Sequence, residues 1–455
     1  MRKIPGVLLV VVIASAVAAQ HLVAQDDSTT ARIERLEQQI RINDRLREIW
    51  QDSVATVLKA APVISASRDG FSIRSADNAF SLRIKGYVHS DGRYFLSDSL
   101  KPGTTQFLLR RVRPIFEATV FKIYDVRIMP DFGAGTTVLQ DAYIEARFAP
   151  GFRVRSGKYK PPVGLERLQS ATDIVFAERG LPTNLVPNRD VGFQVAGDLF
   201  QGRVSYAAAL MNGVPDVSLG DGDNNDDKDL AGRIFFTPFR NSTGNLLQNL
   251  GFGVSGTLGN QVGTPTTTGA GLAGYRTAGQ ATFFAFRNNN ALNGTTIADG
   301  RITRVSPQAN YYAGRFGFMG EYVKTKHRVS LNGVVETIPV EAWQVVGTFG
   351  LFGGSPSFRG INPKKAFDPK AGGWGALELA VRYGRLTVGD EAFPVYADST
   401  TQARQASGLG IGFNWYLNRN VKLVTSYEQT KFKGGAATGN REKESVLFSR
   451  VQFSF

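Results

Sequence analysis

From Phe80 to the last residue, apolar and polar positions alternate with a period of two, as they do in β-strands that wet only one face. "FSLRIKGYVHSDGRYFL" sets Phe80, Leu82, Ile84 and Val88 against Arg83, Lys85, His89, Asp91 and Arg93. "IYDVRIMPDF" opposes Tyr124, Val126, Ile128, Pro130 and Phe132 to Asp125, Arg127 and Asp131. "VLQDAYIEARF" opposes Ala142, Ile144, Ala146 and Phe148 to Asp141, Tyr143, Glu145 and Arg147, and the pattern returns in "WGALELAVRYG", "NVKLVTSYEQ" and "ESVLFSRVQFSF". One face of each strand is apolar and the other carries both signs of charge, too polar for the core of a sandwich. No amphipathic helices follow the strands to cover a soluble sheet. The pattern therefore predicts an all-β fold, a transmembrane antiparallel β-barrel over 80–455 with its apolar face in lipid and its polar face on a wet lumen. Divided among 16 strands, this span allows about 23 residues per strand and connection, enough for ~10 spanning residues and a loop. About 17 candidate strands can be counted; the preference for even numbers favours 16, with 18 as the alternative.

Upstream the period changes. "DDSTTARIERLEQQIRINDRLREIWQDSVATVLK" places Ile33, Leu36, Ile40, Asn43, Arg47, Trp50, Val54 and Val57 at steps of three and four. This predicts a short α-helical coiled coil over 26–60, with Asn43 and Arg47 setting its register; the alternative is a lone amphipathic helix resting on another surface. Asp26, Asp27 and the run Ser28-Thr29-Thr30 offer N-caps, Pro62 ends the helix, and 61–79 reads as a linker. Before it, "MRKIPGVLLVVVIASAVAAQ" has a basic start, an apolar run too short to span a bilayer and small residues at Ala16, Ala18 and Ala19, which together read as a signal peptide over 1–19. The expected location is the bacterial outer membrane, with the helix in the periplasm.

Two stretches interrupt the barrel pattern. "DGDNNDDKD" (221–229) is acidic and turn-prone, an external loop in which a calcium site of oxygen ligands is the sharper alternative. "KPPVGLERLQSATDIVFAERGLPTNLVPNRD" (160–190) is too apolar for disorder and too long for an idle connection, and reads as a loop folded inward to constrict a pore. "RVQFSF" ends the chain with Phe453 and Phe455 on the lipid face, like the assembly signal of outer-membrane barrels.

Composition narrows the chemistry. The formal charge of +14 would suggest nucleic acid in a cytoplasmic protein; after export it points to anionic lipid, polysaccharide or small anions. There is no cysteine and only His21, His89 and His327, so no disulfide framework, metal site, cofactor or enzyme activity is expected. The arginines concentrate in "FLLRRVRPIFEATVF" (107–121), where Leu108, Val112, Phe116 and Val120 share the lipid face. Parity then puts Arg111 and Arg113 in the lumen with Glu117 and gives Arg110 the lipid side, unless a bulge or strand end near Arg110 redirects it. In "FRVRSGKYK", Arg153 and Arg155 have one parity and Lys158 and Lys160 the other, unless Gly157 bulges.

Beyond about Phe80 the chain resembles the phosphate-selective porins of the O and P type. The resemblance is carried by "FLLRRVRPIFEATVF", "YDVRIMPDFG", "DAYIEARF", "YAAALMNG", "YYAGRFGFMGEYV" and above all the stretch 157–198, with its order of Lys, Pro-Pro, Leu-Glu, Phe-x-Glu-Arg and Pro-x-Arg-Asp. It implies a homotrimeric, 16-stranded, anion-selective channel for inorganic phosphate or other small anions, embedded in outer-membrane lipid. Within it, Arg110 and Arg111 match the paired arginine of the narrow eyelet, Lys160 the lysine before the constriction loop and Asp141 an acidic partner. A further arginine of the family's loop falls at Thr172-Asp173 here, and Arg167 or Arg179 are the substitutes. Arg113 and Lys158 join the candidates by parity and proximity. The competing readings are a general diffusion porin with little phosphate preference, an envelope-tethering barrel anchored through the coiled coil, and a membrane-embedded hydrolase.

Overall fold

The computed structural model describes residues 7–67, 69–96, 103–218, 222, 223, 225–242, 244–266 and 268–455, with side chains described from residue 29 onward. The chain forms two units, one built on a helix and the other on strands. The helix, α1, runs from Val7 to Ala60. Residues 1–6 of the expected signal peptide lie outside the described residues. Along α1, Ile33, Leu36, Ile40, Trp50 and Val57 of the expected seam are all exposed.

In the second unit, sixteen antiparallel strands close into a barrel among the described residues. They are β1 (Phe80–Phe95), β2 (Gln106–Val120), β3 (Tyr124–Asp131), β4 (Val138–Ala149), β5 (Phe152–Tyr159) and β6 (Asp190–Leu199). Then follow β7 (Val204–Met211), β8 (Asp229–Phe236), β9 (Gly251–Val262), β10 (Ile297–Ala313) and β11 (Phe316–Leu331). The last are β12 (Val334–Phe352), β13 (Ala376–Val388), β14 (Ala403–Tyr416), β15 (Val421–Gly434) and β16 (Glu444–Ser454). Sequence neighbours pair throughout, and β16 returns to β1 from Val446↔Phe95 to Ser454↔Tyr87, so no edge is left open. The final residue extends the seam: Phe455 and Gly86 exchange backbone hydrogen bonds of 2.9 and 3.0 Å. The count is the even number expected, sixteen rather than eighteen.

The stretch 61–79, read as a linker, is partly structured. Val63–Ser67 and Gly70–Arg74 are short strands, and the second pairs with the start of β1 from Phe71↔Ile84 to Arg74↔Ser81. Phe71 and Ile73 continue the two-residue alternation of β1, which explains the pairing.

Outward residues such as Ile128, Ile144, Phe148, Phe193 and Val451 are exposed, whereas inward ones, among them Asp91, Arg304, Glu321, Arg382 and Arg450, are buried. That inversion of a soluble core is what a lipid-facing wall requires. The interior is filled by the connection between β5 and β6. It contains a one-turn helix, α2 (Leu165–Leu168), and a 3-10 turn at Leu181–Leu185. Its Leu165 and Phe176 pack on Met319, Val346 and Ala380 of the wall, and Val163, Leu185 and Val186 join a second apolar cluster there. Polar anchors come from widely separated strands. The Glu321 carboxylate accepts the Leu165 and Glu166 amides at 2.7 and 3.4 Å, and Lys422 Nζ donates to the Thr172 and Ile174 carbonyls, both at 3.0 Å. Gln169 Nε2 reaches the Phe358 carbonyl at 2.8 Å. The segment therefore crosses the lumen.

In the acidic stretch 221–229, residues 221 and 224 lie outside the described residues. Asp223 is ion-paired to Lys228 at 2.7 Å, and Asp229 opens β8, where its carboxylate lies 3.4 Å from Arg304 Nη1.

Candidate functional site

The site begins with an irregularity in β2. Tyr87 opposes Arg113 and His89 opposes Arg111, but the next pair is Ser90↔Leu109, so Arg110 is an extra residue with no partner on β1. On the other side Phe132 N–H donates to Val112 O at 2.9 Å and Ala134 N–H to Leu109 O at 2.7 Å, which repeats the offset. This is a β-bulge at Arg110. Asp131 holds it: Oδ1 accepts the Val112 and Gly133 amides, both at 3.1 Å, while Oδ2 accepts Arg113 Nε at 2.7 Å. Gly133 is required by close approach, since a Cβ there would lie 2.8 Å from the Arg110 carbonyl oxygen.

The bulge lets Arg110, Arg111 and Arg113 face one lumen, which a regular strand forbids. It also corrects an assignment upstream. Leu108 pairs with Asp91 on the lumen side, and Phe107 and Leu109 are the exposed residues, so Leu108 does not share a face with Val112. A second shift in the neighbouring pair, Met129↔Asp141 followed by Pro130↔Leu139, leaves Gln140 as the extra residue of β4.

Between this wall and the inward loop lies a cavity of about 570 Å³. Arg110, Arg111, Arg113, Arg167, Arg179, Arg189 and Arg276 line it, against the carboxylates of Asp131, Glu178 and Asp216. The wall arginines are paired. Arg113 meets Asp131 and donates to Tyr87 Oη at 2.8 Å. Arg110 forks onto Glu178, Nε to Oε1 at 2.5 Å and Nη2 to Oε2 at 3.2 Å, and Arg111 Nη2 adds a contact to Oε2 at 3.2 Å. Burial disfavours the Glu178 anion, but Arg110, Arg111 and Arg450 outweigh it and hold its carboxyl well below the usual range.

The loop cations differ. Arg167 donates to Thr183 O at 2.6 Å and Asn188 Oδ1 at 3.2 Å; Arg179 donates to Glu166 O at 3.0 Å and Gln169 O at 2.8 Å. Among the described residues neither guanidinium has a carboxylate at ion-pair distance. Their bonded donors go to neutral oxygens, so neither charge is matched in an ion pair, and the Glu166 carboxylate acts on both only from further away.

Five of the eight expected residues, Arg110, Arg111, Arg113, Arg167 and Arg179, thus come together. Lys160 sits behind them, its Nζ donating to Gln169 O at 2.7 Å and Leu168 O at 3.4 Å, so it braces the loop. Burial and the nearby Arg179 and Arg189 push its pKa well below that of a free lysine. Asp141 does not accompany Arg110 and Arg111; it accepts from Arg189 Nε at 3.0 Å and Arg127 Nε at 3.2 Å. Lys158 is opposite in parity to Arg155, pairing with Ala142 and Val191, because Gly157 stays in register between Tyr143 and Gly192. Without a bulge at Gly157, Lys158 does not reach the cavity lining.

Glu178, Arg189 and Arg450 were not among the expected residues. Glu178 and Arg189 lie in the "FAERG" and "PNRD" motifs and reach the cavity only by the folded path of the loop, whereas Arg450 has lumen parity opposite Phe453 and is brought beside β2 by closure of β16 onto β1.

A family model described as phosphate-selective porin O and P matches residues 82–455. Porin O of Pseudomonas aeruginosa is similar at 21% identity over 418 residues, covering 87% of this chain and 93% of its own. Among solved structures, the outer membrane channel DcaP of Acinetobacter baumannii aligns with a TM-score of 0.52 at 12% identity, over 86% of this chain and 99% of its own. The anion-selective porin from Comamonas acidovorans aligns with a TM-score of 0.50 at 11% identity, over 83% and 100%. At such identities the two structures speak for the fold alone, and they share the barrel. With the match running along the whole barrel to the terminal phenylalanine, the chain belongs to the phosphate-selective porin O and P family and is an outer-membrane porin, a channel rather than an enzyme.

Proposed function

We propose that this porin passively conducts small anions, with inorganic phosphate or polyphosphate as the preferred solute, through the arginine-lined cavity beside its inward loop. The observation that carries the reading is the lining itself, seven arginines against three carboxylates, with Arg167 and Arg179 lacking an anionic partner among the described residues. An anion entering a pore exchanges hydration for fixed donors, and the planar guanidinium fork matches two oxygens of phosphate while its charge persists at any physiological pH. Several moderate sites in series allow one anion to displace the next, which keeps throughput high. Lys160 serves this arrangement by bracing the loop, and Asp141 by orienting Arg189. Membership of the family supports a homotrimer as the working assembly, and the exposed seam of α1 supports a coiled coil in the periplasm.

The test is the reversal potential of single channels in a planar bilayer under a salt gradient, with phosphate titrated as a blocker of chloride current. Anion selectivity with phosphate block is expected. Cation selectivity would refute the reading, and anion selectivity without block would reduce it to a general diffusion porin. That second reading draws on the ion pairing of many lumen arginines, such as Arg113 with Asp131 and Arg382 with Glu428.

A further inference from the structure

The Glu178 carboxylate is placed as an oxyanion ligand would be. Arg110 presents its fork to both oxygens, Arg111 reaches Oε2 at 3.2 Å, and Arg450 Nη2 stands 3.8 Å from Oε1. Every other member of this cluster is on the barrel wall: Arg110 and Arg111 on β2, Arg450 on β16, and Asp91 on β1, which binds Arg450 with two contacts of 2.7 Å. Glu178 alone comes from the inward loop, and it lines the cavity. Its backbone is fixed separately, since Arg382 Nη1 donates to the Glu178 carbonyl at 2.9 Å. The loop backbone at Glu178 therefore has an anchor that does not depend on the contacts of its carboxylate.

We propose that Glu178 is a built-in occupant of an oxyanion seat formed by Arg110, Arg111 and Arg450, and that phosphate takes the seat by displacing the carboxylate. The inference rests on the phosphate reading above and adds a residue that sets specificity. Phosphate supplies two acceptor oxygens and at least one negative charge, so it can replace the carboxylate contact for contact. Chloride has one centre and cannot satisfy the fork, so it leaves Glu178 seated. The exchange also explains how a site of three guanidiniums avoids trapping its anion: the returning carboxylate competes for the same donors and speeds release.

The test is phosphate block of the chloride current in planar bilayers for the parent, Glu178→Gln and Glu178→Asp, each checked for heat-modifiable barrel migration. Gln removes the competitor's charge. Asp keeps that charge but shortens the side chain by one methylene, so it retracts from the fork. The half-blocking phosphate concentration is expected to fall roughly tenfold in Glu178→Gln and about threefold in Glu178→Asp. Tightening in Glu178→Gln alone would assign the effect to net charge and overturn the seat, as would no tightening in either. Absence of block in the parent would instead defeat the phosphate reading, and the seat with it.

Discussion

The two sides of the cavity carry the same residue type in different electrical states. On the wall, Arg110, Arg111 and Arg113 face carboxylates; on the loop, Arg167 and Arg179 face neutral oxygens. An ion pair acts at a distance as a dipole and its field falls off quickly, whereas an unpaired guanidinium acts as a full charge. Arg113 is matched by Asp131, but Arg110 and Arg111 share the single Glu178 carboxylate and keep one excess positive charge; on the proposed reading the wall supplies shape and oriented donors, and the two unpaired loop guanidiniums the larger share of the field that separates anions from cations. Counting arginines would miss this, because the number on each side says nothing about compensation.

Substitutions on either side would upset this division of labour. The largest effect is expected from Arg167→Gln with Arg179→Gln. Even with bulk-water screening, one charge at ~4 Å is worth about 1 kcal/mol, so losing two should weaken the hold on an anion roughly thirtyfold and, with the repulsion of cations lost as well, lower the anion-over-cation permeability ratio by at least that much. Arg111→Ala, which removes one of the three guanidiniums of the seat, should raise the half-blocking phosphate concentration about tenfold, read from block of chloride current. Gly133→Ala should depress the folded fraction in heat-modifiability assays, by about 1–3 kcal/mol, because the added methyl meets the Arg110 carbonyl and forces the bulge to move.

A smaller effect concerns Lys160. Burial and its arginine neighbours favour the neutral amine, so its positive charge is lost at a lower pH than that of a free lysine. Raising the pH through the alkaline range should therefore reduce anion preference sooner in the parent than in Lys160→Arg, whose guanidinium keeps its charge. The smallest is Lys158→Gln: with the wrong parity to face the cavity, it should leave selectivity within about twofold of the parent.

How far the sequence foresees this depends on the distance over which each feature is encoded. Strand alternation is local, and parity alone assigns Arg111 and Arg113 to the lumen. The awkward parity of Arg110 is itself informative: a lumen role requires a bulge, and the register shift falls at that residue. The same reasoning fails for Leu108, because one extra residue inverts everything upstream of it. Family resemblance brings in Arg167 and Arg179 by their place in the loop but not their lack of anionic partners, which depends on how the backbone carbonyls of residues 166–183 turn. Glu178 and Arg450 are 272 positions apart in the chain and meet only because the loop crosses the lumen, a path no periodicity records. Resemblance offers Asp141 as an acidic partner without saying of which residue, for the same reason: Arg189 comes to it only once the loop has folded.

The claim that loop cations outside ion pairs set selectivity is tested most directly by reversal potentials of two double variants measured side by side in a potassium chloride gradient. Arg113→Gln with Asp131→Asn removes a wall pair without changing net charge, and the Asn side-chain oxygen can still accept from the bulge amides. This variant is expected to keep the parent's anion-selective potential, while Arg167→Gln with Arg179→Gln moves it toward zero or past it. A wall variant that loses selectivity beside a loop variant that keeps it would contradict the claim.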